Sequence, residues 1–181
     1  RFVLELGLSS YDAGALTDSH ALAEFFEQTI QAFGKAGVEP KVGAKPAANF
    51  VLGEIASLLN EEGIELKNAR LKPEHLAEVV KLTQSQEISS TGAKTVLAAV
   101  WKTGDSVSVI VDREGLKQVS DAGALAPVID QVIAEFPAQV AEFKSGKEKV
   151  IGFFVGQVMK RSGGKANPAM LQEMIKKRLL S

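Results

Sequence analysis

Apolar side chains recur at spacings of three and four along most of this chain, which is the period of helices with one buried face. Ser9-Ser10-Tyr11-Asp12 begins a short helix that ends near Leu16. Thr17, Asp18 and Ser19 then offer capping oxygens to a longer helix carrying Leu22, Phe25, Phe26, Thr29, Ile30 and Phe33 on one stripe. Gly34, Gly37, Pro40 and Gly43 mark a loop, and a third helix is expected from about Pro46 to Asn60 with Phe50, Ile55, Leu58 and Leu59 inward. Pro73 opens a helix with Leu76, Val79, Val80 and Leu82, and Ser89 or Ser90 caps another that carries Val96, Leu97, Val100 and Trp101 and stops at Gly104. Between Ser106 and Val111 the valines alternate, so local propensity favours a strand, although a lone strand has no partner in this chain.

The pattern then restarts. Gly115 to Ser120 reads as a boundary, which divides the chain into residues 1–116 and 117–181, two parts expected to move as separate bodies. Ser120 caps a helix from Asp121 to Phe136, and Pro137 starts a short one ending near Lys144. Val150, Ile151, Phe154, Val155 and Val158 form one face of a helix over Gly146–Arg161, followed by a Ser162-Gly163-Gly164 turn. Asn167 is a good N-cap with Pro168 at the first helical position, and the last helix holds Met170, Leu171, Met174, Ile175, Leu179 and Leu180. Gly152 and Gly156 make a GxxxG pair in a segment too short and too closely flanked by charge for a membrane helix, so a tight helix–helix contact in a soluble core is expected.

Charge changes this picture more than composition does. The 181 residues are 45% hydrophobic with a formal net charge of −1, enough for one sizeable core or two small ones. The charge is uneven: residues 1–134 carry 12 Lys+Arg against 18 Asp+Glu, whereas residues 135–181 carry 9 against 4. Any nucleic-acid contact should therefore concentrate at the C-terminal end. Lys147, Lys149, Lys160, Arg161 and Lys165 bracket the apolar stripe of the Gly146–Arg161 helix, an arrangement suited to docking on phosphates. The Gly163-Gly164 pair would let backbone N–H groups approach an anion, with the helix start at Asn167 adding its dipole. The alternative is an ordinary core helix with solvated lysines, and Lys176, Lys177 and Arg178 suit the end of a helix dipole equally well.

Candidate chemistry is sparse. The chain has no cysteine, hence no disulfide or thiolate site, which accords with a reducing cytoplasm. His20 and His75 stand near helix starts and not at ligand spacing. Glu61-Glu62 with Glu65 is a candidate for magnesium, but beside Gly63 it also reads as a solvated turn. Neither a GxxxxGK[ST] phosphate loop nor a GxSxG elbow occurs, so no catalytic residue or metal site is expected in this chain.

The tail resembles the YqeY-like domain at the C-terminus of the B subunit of aspartyl/glutamyl-tRNA amidotransferase. Gly146-Lys147, Gly152, Val155-Gly156-Gln157, Met159-Lys160 and Gly164-Lys165-Ala166-Asn167-Pro168 carry the family's pattern. Upstream it extends through Gly115 to Asp121, Ile88-Ser89 with Ala93-Lys94, and Lys45 with Ala48-Asn49; Phe50 stands where relatives often have Trp. The resemblance implies an all-α fold in two small helical domains, a helical bundle over 1–116 followed by a YqeY-like tail over 117–181, with Ser106–Val111 helical. It implies that the chain, which begins at Arg1, is an excised fragment of a cytoplasmic protein working with A and C subunits in a heterotrimer. ATP and Mg²⁺ would belong to another domain of the full-length protein, and this fragment would hold no cofactor. The implied partner is tRNA rather than DNA or a membrane, held by Lys147, Lys149, Lys160, Arg161, Gly164, Lys165 and Asn167. The alternative is a protein-interaction module that docks on other domains or subunits without touching tRNA.

Overall fold

The computed structural model describes residues 1–118 and 122–180, and among them there is no β-sheet, only helices and their connections. They divide into two compact units, Arg1–Leu116 and Lys117–Ser181, each with its own apolar core.

The first unit contains α1 (Ser10–Thr17), α2 (His20–Ala36), α3 (Pro40–Phe50), α4 (Ala56–Glu62), α5 (Pro73–Gln84), α6 (Ser90–Thr103) and α7 (Val107–Arg113). Its organising element is α2, whose Phe25, Phe26, Thr29, Ile30 and Phe33 are all buried, as the periodicity requires. This stripe meets Leu76, Ala77, Val79 and Val80 of α5 on one side and α3 on the other. Ser9 caps α1, with the Asp12 N–H donating to its hydroxyl at 3.0 Å. Asp12 in turn accepts from Lys45 Nζ of α3 at 2.7 Å and from the Ser9 hydroxyl at 2.6 Å. First the Lys45 ammonium and then the Ser9 hydroxyl hold the Asp12 carboxyl below its ordinary range.

Two features depart from the periodicity. The expected loop from Gly34 to Gly43 is largely helical: α2 continues to Ala36, and α3 starts at Pro40 and keeps Pro46 in its interior. Pro40 suits a first turn, and Gly43 is there for close packing rather than flexibility. A Cβ at Gly43 would lie 2.5 Å from Phe33 Cε2 and 2.6 Å from Val38 Cγ1, so only glycine lets α3 approach α2 at this point. The helix also widens into a π-helical turn over Val51–Ile55 before continuing as α4, with Lys94 Nζ of α6 placed 2.5 Å from Glu54. The segment after Ser106 is helical: Val107, Ile110 and Val111 are buried at helical spacing while Val109 is exposed, so burial overrides β propensity.

The second unit packs α8 (Ala122–Glu135), α9 (Pro137–Lys144), α10 (Ile151–Arg161) and α11 (Pro168–Leu180). Leu125, Ile129 and Val132 of α8, Ile151, Phe154 and Val158 of α10, and Leu171, Ile175 and Leu179 of α11 form its core, with Phe143 from α9. The expected Ser120 cap and the start at Asp121 lie outside the described residues. Helix α10 starts at Ile151, later than the expected Gly146, because the backbone turns after α9 with the Lys147 N–H bonded back to the Glu142 carbonyl at 3.2 Å. A 3₁₀ turn over Glu148–Val150 then leads into it.

Replacing Gly43 with alanine should destabilise the first unit by about 1–3 kcal/mol, since the fully buried Phe33 ring must move. Urea unfolding followed by Trp101 fluorescence measures this, and an unchanged midpoint would mean that α3 slides away at little cost. A second expectation concerns pH. His75 Nδ1 accepts the Lys72 N–H at 3.1 Å as part of a capping box, and burial, then the Lys72 charge, lower the His75 pKa despite Glu74 and Glu78 nearby. The unfolded chain therefore binds this proton more readily than the folded one. Stability contributed by His75 is present above the ordinary histidine value of about 6.5 and falls as pH drops from there toward the lower folded value. In His75→Gln, where the amide keeps an acceptor at the same helix position, that part of the pH slope should vanish in unfolding titrations.

Candidate functional site

The longest stretch of the sequence free of acidic residues lies in the second unit, around α10. From Lys149 to Gln172 the sequence has no Asp or Glu. Ile151, Phe154 and Val158 turn one side of α10 inward, and the opposite side shows Gly152, Gly156 and Lys160, with Lys149 in the 3₁₀ turn just before, all exposed. The spacing of four residues puts the two glycines and Lys160 on one face. The GxxxG pair is thus not a helix–helix contact as the sequence suggests: a Cβ at either glycine would meet nothing within 4 Å. The apolar stripe already occupies the inward face, which leaves the glycines outside.

The sequence-predicted site residues are not alike in this setting. The Arg161 guanidinium forms a fork with Glu135 of α8, Nη1 lying 3.0 Å from Oε1 and Nη2 bonding the other carboxylate oxygen. That contact holds the Glu135 carboxyl below its ordinary range and raises Arg161 further. Lys147 Nζ is 3.6 Å from Glu142, and Lys176 of α11 is 3.5 Å from Glu148. Lys149, Lys160 and Lys165 are exposed and have no ion pair among the described residues.

The glycine pair also differs from the expected anion cradle. Gly163 and Gly164 both adopt left-handed backbone, with φ of 63° and 74°. The Gly164 N–H donates to the Met159 carbonyl at 2.8 Å and the Gly163 N–H to Lys160 at 3.4 Å, the two bonds of a Schellman cap. Their N–H groups close α10 instead of pointing to solvent. Asn167 is buried, and its Oδ1 accepts from the Ala169 and Met170 N–H groups at 3.0 and 3.2 Å, capping α11. Gly164 and Asn167 thus shape the loop that carries Lys165. Phe154 lies in the core, whereas Phe153 is 36% exposed and sits edge-on to Phe136 with centroids 4.9 Å apart.

The first unit offers less. Glu65 is turned to Lys67 at 2.5 Å and Glu61 accepts from Ser57 at 2.9 Å, so these carboxylates do not converge. No group of three or more His, Cys, Asp or Glu side chains is arranged to hold a metal among the described residues. An open groove of about 360 Å³ runs between α2 and the 66–73 segment, lined by Phe25, Gln28, Lys67 and Lys72 among others. Among the described residues no helix is long and apolar enough to cross a membrane.

Residues 16–179 match the family described as the GatB domain. Among curated proteins the chain is similar to the B subunit of the aspartyl/glutamyl-tRNA(Asn/Gln) amidotransferase of Trichlorobacter lovleyi, with 45% identity over 179 residues, 99% of this chain and 36% of the relative. The proteins of the same name from Geotalea daltonii and Persephonella marina are 44% and 43% identical and cover 99% and 97% of the chain. The chain spans 36% of the length of each of these relatives.

The Arg161–Glu135 fork predicts a specific stability pattern. Arg161→Glu should lower the melting temperature by opposing two carboxylates, and Glu135→Arg combined with it should restore much of the loss. The melting temperatures of both singles and the double check this; a double no better than its worse single would mean that the two groups do not couple.

Proposed function

The chain belongs to the GatB domain family, and from that premise we propose that it is the tRNA-holding C-terminal part of the B subunit of an amidotransferase. Its full-length protein would serve in the cytoplasm, with A and C subunits, to convert Glu-tRNA(Gln) or Asp-tRNA(Asn) to the amidated form. In that reaction ATP activates the misacylated carboxylate and ammonia displaces the phosphate. The ATP and Mg²⁺ site belongs to a part of the full-length protein outside this chain, and the two units described here act as domains that position the tRNA. Positioning matters because the aminoacyl end must reach the activating site within a few ångströms before reaction is efficient.

The observation that carries this reading is the acid-free basic stretch from Lys149 to Gln172, in a chain whose named relatives act on tRNA. Phosphate contacts by lysine release counterions, so affinity should fall steeply with salt and differ little between tRNA sequences. Titrating the chain with labelled tRNA at two salt concentrations tests it. Lys160→Ala combined with Lys165→Ala should lose on the order of tenfold or more in affinity and reduce the salt slope by up to about two units, with helical content kept. Equal affinity and slope in this double variant would leave the lysines as solvated surface. The chain alone should show no ATP-dependent amidation, and turnover with ATP, ammonia and misacylated tRNA would overturn the assignment.

A further inference from the structure

The seven tail positions marked by the resemblance cannot contribute equally, because the fold has already used several of them. Arg161 is spent on Glu135, Lys147 lies against Glu142, and Gly164 and Asn167 close helix ends. A cation held by a carboxylate displaces few counterions from a polyanion, since its charge is already compensated. Lys149 and Lys160 stand apart from these: both are exposed and neither has an ion-pair partner among the described residues, Lys160 in the last turn of α10 and Lys149 in the 3₁₀ turn that leads into it. The nearest carboxylate in sequence, Glu148, is engaged by Lys176, and Glu142 and Glu135 by Lys147 and Arg161.

We propose that the phosphate backbone of tRNA lies along the outer face of α10, held at its ends by Lys149 and Lys160 and continued by Lys165, while Lys147, Arg161 and Lys176 serve only as structural cations. This rests on the reading that the tail holds tRNA. Charge carries the assignment: among the described residues Lys149 and Lys160 have no ion pair, and no acidic residue follows Lys149 until Glu173. From Ile151, next to the turn that holds Lys149, to Lys160 the helix rises roughly 14 Å, a length that several successive phosphates of one strand can follow. Gly152 and Gly156 lie on this face in open space, and Phe153, partly exposed and edge-on to Phe136, borders it. At the two glycines no side chain stands in the way, so a strand can approach the helix backbone there within reach of both ammonium groups, and a longer side chain at either position would lift it off.

The experiment uses the full chain and labelled tRNA(Gln) and tRNA(Asn) transcripts, with melting temperature and helical content recorded for every variant. Gly152→Gln with Gly156→Gln adds good helix formers in open space, so the melting temperature should hold or rise. Affinity for both tRNAs should nevertheless drop at least tenfold. Lys149→Ala with Lys160→Ala should give a similar drop and a shallower salt slope, whereas Lys147→Ala with Lys176→Ala should stay within about twofold of the parent. A glutamine variant that binds tRNA as the parent does, or a Lys147/Lys176 variant that loses as much as the Lys149/Lys160 variant, overturns the proposal while leaving the tRNA-holding reading intact. If the parent chain itself fails to bind tRNA, both fall together.

Discussion

With no sheet among the described residues to lie on, each helix hides its apolar stripe against other helices, and that fixes its rotation about its own axis. In the tail the decisive case is α10, where Ile151, Phe154 and Val158 are buried against α8 and α11. Burying three such side chains favours this rotation by about 5–9 kcal/mol. The opposite rotation would carry Lys160 inward without a partner, at several kcal/mol for its ammonium. Both effects point the same way, so the outward face of α10 follows from its inward face. Every later property of the tail, including which charges meet solvent, depends on that choice.

Ion pairs then divide the charges that remain. The pairs of Arg161 with Glu135, Lys147 with Glu142 and Lys176 with Glu148 are all substantially exposed, and such pairs contribute little to stability. Their larger consequence is electrostatic, because a compensated cation contributes little to the field felt by a distant anion. Pairing thus removes part of the tail's positive charge, and Lys149, Lys160 and Lys165, around α10 and the loop after it, are among the exposed cations without an ion pair among the described residues. The loop is held by two caps, the Schellman turn at Gly163-Gly164 and the Asn167 N-cap, which place Lys165 between two helix ends.

The first unit shows the same logic without an obvious ligand. Its aromatic stripe on α2 is packed so closely that α3 must present Gly43 to Phe33, and the polar links across its surface, Lys45 to Asp12 and Lys94 to Glu54, join helices far apart in sequence. These links orient α1, α3, α6 and the π-helical turn relative to one another.

Much of this was legible in the residues alone. The stripes of α2, α5, α6, α10 and α11, a cap for α2 among Thr17, Asp18 and Ser19, one for α6 at Ser89 or Ser90, the Asn167 cap and the all-helical class follow from local periodicity and capping chemistry, which act over three or four residues. What failed concerned glycine and proline, whose meaning is set by neighbours distant in the chain: Gly43 read as a loop but is a contact with Phe33, and Gly152 and Gly156 read as a contact but face solvent. The state of each cation was likewise hidden, because Arg161 and Glu135 are 26 residues apart and meet only when α8 and α10 pack. Sequence by itself determined which residue types the tail has available to meet an anion. Tertiary structure decided which of them remain uncompensated, since pairing and burial depend on distances that no local pattern encodes.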